Sequence, residues 1–253
     1  MSIEKINFQL INITRDSLIN VEPIARIMAI RVIGATCSLG EAVVDKLLSM
    51  DIDVVAVEES HFQRNSIMLE FSTASLSVDG DGYSISFDGS EADIVVGKDL
   101  LIHDLLPARI DKWLAPEILG WANGDNVDSR SRYWLSVIDA ANAIAQILKA
   151  EIKLNGIHMC GRREWLPVDS RAEFEMLWQR TNQGISGDFT AETLFGHSIA
   201  GMDAKPINEA DGERPDLDPL HEILLGLTGD GWRPLIPFRT ALMNLIAGLF
   251  RPA

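Results

Sequence analysis

Apolar and polar positions alternate in a characteristic order near the start of the chain. A short apolar run over residues 29–34 leads into Gly34-Ala-Thr-Cys-Ser-Leu-Gly40. The next stretch, Glu41–Met50, carries Val43, Val44, Leu47 and Leu48 at helical spacing. A second apolar run, Asp53–Val57, ends at Glu58-Glu59. This is the strand, glycine turn, helix, strand, acid order of a dinucleotide-binding βαβ unit. Gly34 permits the tight turn, and Gly40 lets the helix pack close to the strand. The middle glycine of such units lets the backbone approach a pyrophosphate; here that position is Cys37.

Further along, Leu76 and Val78 alternate with serines, Asp79-Gly-Asp-Gly82 follows, and Tyr83, Ile85 and Phe87 alternate again. That pattern predicts a β-hairpin. Ala92–Val96 reads as another strand after the turn-like Asp88-Gly-Ser-Glu91, and a short helix is predicted over Ile110–Leu119. Val137, Ile138, Ala141, Ile144, Ala145 and Leu148 form a helical stripe, and Gly156–Cys160 is a short strand. Ser170-x-x-Glu173 reads as a capping box ahead of Phe174, Leu177, Trp178 and Thr181. Residues 183–215 are turn-rich and acidic, 218–227 form a helix beginning near Pro219, and Phe238–Phe250 forms a last apolar helix. Ile6–Ile11 alternates and is compatible with an edge strand. The expected organisation is an extension (1–28), a Rossmann-like domain (29–150) and a smaller C-terminal lobe packed on it (151–253). The fold class is α/β: a reduced Rossmann-like parallel sheet with an inserted β-hairpin and a smaller α/β substrate-type lobe.

Charge narrows the choice of partners. The formal net charge of −15 repels nucleic acid, and Arg130–Arg132 and Arg162–Arg163 are too small to make a nucleic-acid surface. The 253 residues and 47% hydrophobic content suffice for a substantial core. Two cysteines, Cys37 and Cys160, have no metal-ligand spacing around them and favour a reducing compartment. No signal peptide and no run of 18 apolar residues is seen, so a cytoplasmic protein without a transmembrane helix is expected.

Taken in order, the motifs resemble the extended short-chain dehydrogenase/reductases, the NAD-dependent epimerase/dehydratases, and within them the dTDP-4-dehydrorhamnose reductase-like, sugar-nucleotide-binding branch. Gly34–Gly40 is similar to its Gly-Ala-x-Gly-x-Leu-Gly loop. Arg132-Tyr-Trp-Leu-Ser-Val-Ile-Asp139 resembles its arginine, aromatic, valine, aspartate stretch, with Arg130 as the other candidate for the family arginine. Gly156-Ile-His-Met-Cys-Gly161 is similar to its Gly-x-Tyr/Phe-His-x-x-Gly strand. Arg214-Pro215 and Trp232-Arg-Pro234 resemble C-terminal motifs. The resemblance implies NAD or NADP as cofactor and a nucleotide sugar as substrate. It also implies a tyrosine four residues before a lysine, which this chain lacks: Tyr83 is followed by Phe87, and Tyr133 by Val137. The block between the glycine loop and Arg132 is also shorter than the family's.

The candidate cofactor site is Gly34, Thr36, Cys37, Ser38, Leu39, Gly40 and Glu58, with Glu59 as an alternative acid for a ribose hydroxyl. Arg132 and Arg214 are candidates to grip a diphosphate, or else they form ion pairs in an acid-rich chain. Cys37 is either a thiol activated at a helix N-terminus or a small buried residue. Thr36 and Ser38 either contact phosphate or cap the helix. His158, on an apolar strand, reads as a satisfied core histidine. No catalytic residue and no metal site is assigned.

Three functions are weighed. The first is a catalytically silent relative, binding a nucleotide or nucleotide sugar at most, that acts as a binding, regulatory or structural subunit with a protein partner or in a homo-oligomer. The second is an NAD(P)-dependent nucleotide-sugar reductase, epimerase or dehydratase using Asp99, His103 or Asp139. The third is a thiol enzyme built on Cys37. The first is favoured.

Overall fold

The computed structural model describes residues 29–127, 129–186 and 214–249. The 1–28 extension with its predicted strand at Ile6–Ile11, most of the 183–215 stretch and Phe250 lie outside the described residues. The first seven elements are β1 (Ile30–Ile33), α1 (Ser38–Ser49), β2 (Val54–Ala56), α2 (Ser60–Phe71), β3 (Leu76–Ser77), β4 (Tyr83–Ser86) and β5 (Ile94–Val95). Their strands make one sheet in the order β3-β2-β1-β4-β5, and every pairing is parallel. This order, with helices carrying the first two crossovers, is Rossmann-type.

The predicted hairpin is not formed. β3 pairs with β2 and β4 pairs with β1, so the two segments lie on opposite sides of the sheet's centre. The chain passes from one to the other through residues 78–82, without a helix. Gly80 crosses beside Val55, and a Cβ on Gly82 would stand 1.8 Å from the Ala29 carbonyl oxygen. The alternation that suggested a hairpin has a different cause. Parallel strands are usually covered on both faces and read as continuous apolar runs. Among the described residues α1 and α4 pack on one face, against Ile30, Val32 and Ile85, while Arg31, Ile33 and Ser84, which point to the other, stay partly exposed and Val55 is buried there. Strands buried more fully on one face than on the other give period-two alternation whatever their direction.

The remaining elements are β6 (Leu100–Ile102), β7 (Leu105–Leu106), α3 (Pro116–Ala122), β8 (Leu135–Ser136), α4 (Val137–Lys149), β9 (Ile157–Met159), α5 (Pro167–Ser186), α6 (Asp218–Thr228) and α7 (Phe238–Leu249). β6 pairs with β9 and β7 with β8, both parallel. The helix expected over Ile110–Leu119 starts later, with Pro116 at its first position, where a missing N–H costs nothing. Ser170 and Glu173 do not form a capping box: α5 begins at Pro167, Ser170 Oγ accepts from Trp134 Nε1 at 3.0 Å, and Glu173 pairs with Arg239. Long-range contacts use both side chains, which local spacing cannot register.

Two apolar cores result. One surrounds the sheet and α1, α4 and α6; the other joins α3, α5 and α7 around Trp121, Trp134, Trp165, Phe174 and Phe238.

Candidate functional site

The glycine turn folds as its residues require. Gly34 has φ +68°, the left-handed region that glycine tolerates without strain. A Cβ on Gly40 would stand 2.5 Å from the Ala35 Cα, so only glycine lets α1 sit this close to the turn. Cys37 is the N-cap residue and makes no side-chain cap. Ser38, Leu39 and Gly40 are buried at the head of α1. Ser38 does not cap the helix either: its Oγ is buried without a hydrogen-bond partner.

The cap comes from elsewhere. The Ser38 N–H donates to Asp111 Oδ2 at 2.7 Å, across 73 residues of chain. A helix N-terminus carries partial positive charge and open N–H donors, which is why such turns hold phosphates. Here an internal carboxylate takes that position. The segment around it is anchored at several further points. Asp111 Oδ1 accepts from the Trp113 N–H at 2.9 Å. Arg109 donates to the Thr36 carbonyl and to Glu41 Oε1, both at 2.7 Å. Lys112 donates to the Phe87 carbonyl. The Trp113 indole N–H lies 3.4 Å from Cys37 Sγ. On the other flank the Asp88 carboxyl group stands where a Gly34 side chain would go, fixed by Ser86 Oγ and the Ser90 N–H.

As folded, this turn does not fit a dinucleotide. A pyrophosphate would compete with Asp111 for the Ser38 N–H, meet a second carboxylate at Asp88, and face the Cys37 side chain where a glycine normally opens the approach. The proton-transfer pair is absent as well. Tyr83 is buried in the first core, and burial pushes its phenol up to about 12. Burial also raises the Tyr133 phenol. Neither is poised as a tyrosinate at neutral pH.

Glu58 follows β2, in the position expected of a ribose-binding acid. Its Oε2 lies 3.6 Å from Nε2 of His61, which is almost wholly buried. Glu59 is the N-cap of α2. Arg132 sits in a buried ionic cluster: its Nε and one terminal nitrogen form a fork on Glu117, each bond 2.8 Å, and the other terminal nitrogen reaches Asp104 at 2.8 Å. Asp104 also accepts from the Tyr133 N–H at 2.8 Å, and Arg130 reaches it from the surface at 3.2 Å. Arg214 is half-buried, and its charge acts on Tyr133 and Cys160. Both arginines thus lie near Tyr133, but the hydrogen bonds of Arg132 go to Glu117 and Asp104, and its guanidinium lies 5.5 Å from the centre of the Trp134 ring.

The weaker acid–base candidates are scattered. Asp99 accepts from the Val95 N–H, and Asp139 accepts from the Leu235 and Ile236 N–H groups. His103 Nε2 is 2.8 Å from His158 Nδ1, with the rings 11° from parallel. Among the described residues no cluster of three or more His, Cys, Asp or Glu could hold a metal ion, and no helix is long and apolar enough to cross a membrane.

No protein-family model matches this sequence, and no curated protein matches it either. Solved structures do resemble it. The dTDP-glucose 4,6-dehydratase of Bacillus anthracis str. Ames, in complex with NAD, is 10% identical, with 88% of this chain and 96% of that chain aligned at a TM-score of 0.49. A UDP-galactose 4-epimerase is 13% identical over 88% of this chain and 98% of that chain, at 0.48. The Bordetella bronchiseptica enzyme WbmF, in complex with NAD+ and UDP, is 11% identical over 87% and 91%, at 0.44. The parallel β3-β2-β1-β4-β5 sheet of this chain is the Rossmann-type order in its own right.

Sequence reasoning missed Asp111, Arg109, Asp88 and His61. For His61 a signal existed, since Glu58 and His61 stand three residues apart at the head of a helix. For the segment 109–113 the only signal was a charged triplet in an otherwise apolar stretch.

One buried and one half-buried histidine make acid lability an expected property. Burial lowers the pKa of His61 and of His103, with the neighbouring His158 adding to the effect at His103. Each is then neutral in the fold at a pH where the unfolded chain already binds a proton. Stability should be flat above the ordinary value of 6.5 and fall as pH drops below it, until the lowered folded values are reached. Urea titrations from pH 7.5 down to pH ~5 check this; a midpoint that does not move in that interval contradicts it.

Proposed function

We propose that this chain is a catalytically silent Rossmann-type protein that acts as a binding or structural subunit of a larger assembly. The observation that carries the reading is the Asp111 carboxylate on the Ser38 N–H, the donor a pyrophosphate would need. The missing tyrosine–lysine pair supports it. Exposed apolar side chains on α2 suit a subunit: Phe71 is 86% and Ile67 73% exposed, one helical turn apart. In this reading Arg132 is a structural residue and Arg214 is the arginine left to meet a nucleotide-sugar phosphate.

The test is a titration of the full chain with NADH and NADPH, followed by nicotinamide fluorescence. The wild-type chain is expected to show no saturable binding up to about 1 mM, a free energy of about −4 kcal/mol. Asp111→Ala is expected to be the variant in which weak binding emerges. Saturable binding by the wild-type chain below that concentration, or turnover of a nucleotide sugar, overturns the reading.

A further inference from the structure

A second concave site lies away from the glycine turn. The loop after β9, Gly161–Trp165, faces the Pro234–Arg239 stretch that opens α7, and the two enclose a cleft of about 280 Å³. Its floor is aromatic. Phe238 lies 4.5 Å from Trp165 and 5.5 Å from Trp134, centroid to centroid. All three rings are largely buried.

The walls are held in place independently of any ligand. Asp139 fixes one of them by accepting from the Leu235 and Ile236 N–H groups at 3.1 and 2.9 Å. The opposite wall depends on Gly161, where a Cβ would stand 2.2 Å from the Trp134 carbonyl oxygen. A site shaped in advance loses less freedom when it is filled.

The rim is cationic in a chain whose net charge is −15. Arg162, Arg163 and Arg239 line the cleft. Glu173 holds Arg239. Arg162 and Arg163 are exposed and have no carboxylate partner among the described residues, and the Arg163 guanidinium sits 4.7 Å from the centre of the Trp165 ring. Of the nearby acids, Asp139 accepts from backbone N–H groups, Glu173 pairs with Arg239, and Glu164 has one carboxylate oxygen buried without a hydrogen-bond partner. The two exposed guanidinium groups therefore present hydrogen-bond donors to an anion at the rim of the cleft.

We infer that this cleft binds a small aromatic anion. A planar ring lies against the Trp165, Trp134 and Phe238 floor, and a carboxylate or phosphate one or two bonds from the ring is held by Arg162 and Arg163. The volume admits one ring with its acid group and not a dinucleotide. The site is independent of the closed glycine turn, so the inference stands or falls separately from the nicotinamide titration.

The experiment is calorimetric titration of the full chain with four probes: phenyl phosphate, phenylacetate, benzyl alcohol and inorganic phosphate. At least one aromatic anion is expected to bind saturably, and the stronger of the two identifies the acid group. Benzyl alcohol and inorganic phosphate are each expected to bind about tenfold more weakly or worse, because each lacks half of the recognition. Arg162→Ala/Arg163→Ala is expected to weaken the bound anion about tenfold or more with its circular dichroism and melting midpoint unchanged, since both side chains are exposed. Failure of both aromatic anions to bind, equal binding of benzyl alcohol or of inorganic phosphate, or binding untouched by the double substitution overturns the inference.

Discussion

Arg132→Ala is expected to destabilise the protein by about 3–5 kcal/mol, the usual cost of breaking a buried ion pair by removing one partner. Arg132 is 15% exposed, while its partners Asp104 and Glu117 are 4% and 3% exposed. Deleting the guanidinium leaves two carboxylates with little access to water, and Arg130, on the surface, can compensate only Asp104. Glu117 sits in α3 and Asp104 just before β7, so the same cluster joins the second core to the strand pair β7–β8. Arg132→Lys should recover only part of the loss, because an ammonium group cannot make the two-bond fork on Glu117. Urea unfolding of the three proteins measures this. An Arg132→Ala variant as stable as the parent would mean that the arginine is held available for a ligand and not for its neighbours.

Phe174→Ala should cost about 3–5 kcal/mol by a different route, the cavity left in a packed core. Phe174 is fully buried and stands between Trp121, 5.7 Å away, and Trp178, 5.5 Å away. It thereby ties α3 to α5. The expected signature is a lowered urea midpoint with the slope of the transition unchanged. A destabilisation below about 1 kcal/mol would show that the helices α3 and α5 close over the gap.

Much of the architecture was legible in the residues. The strand–glycine–helix–strand order placed β1, α1 and β2 correctly, and the apolar stripe over 137–148 became α4. Short-range periodicity reports which face of an element is buried, and both elements bury one clear face. Period two, in contrast, reports only that one face is covered. The segments around Leu76 and Tyr83 were read as neighbours for that reason, although β1 and β2 lie between them. The site was legible as a frame and illegible in its contents. Gly34 and Gly40 stand where the turn needs them, yet the group that meets the helix N-terminus comes from Asp111.

The local frame follows from the residues alone: a glycine with positive φ at the turn, a second glycine tight against Ala35, and amphipathic helices that bury one side. These follow from sterics and from the period of each element, which act over a few residues. What fills that frame was set by long-range folding: Asp111 on the Ser38 N–H, and Glu117 and Asp104 around Arg132. An N–H or a guanidinium donates to any anion that reaches it, and which one arrives depends on contacts dozens of residues apart that no local spacing encodes.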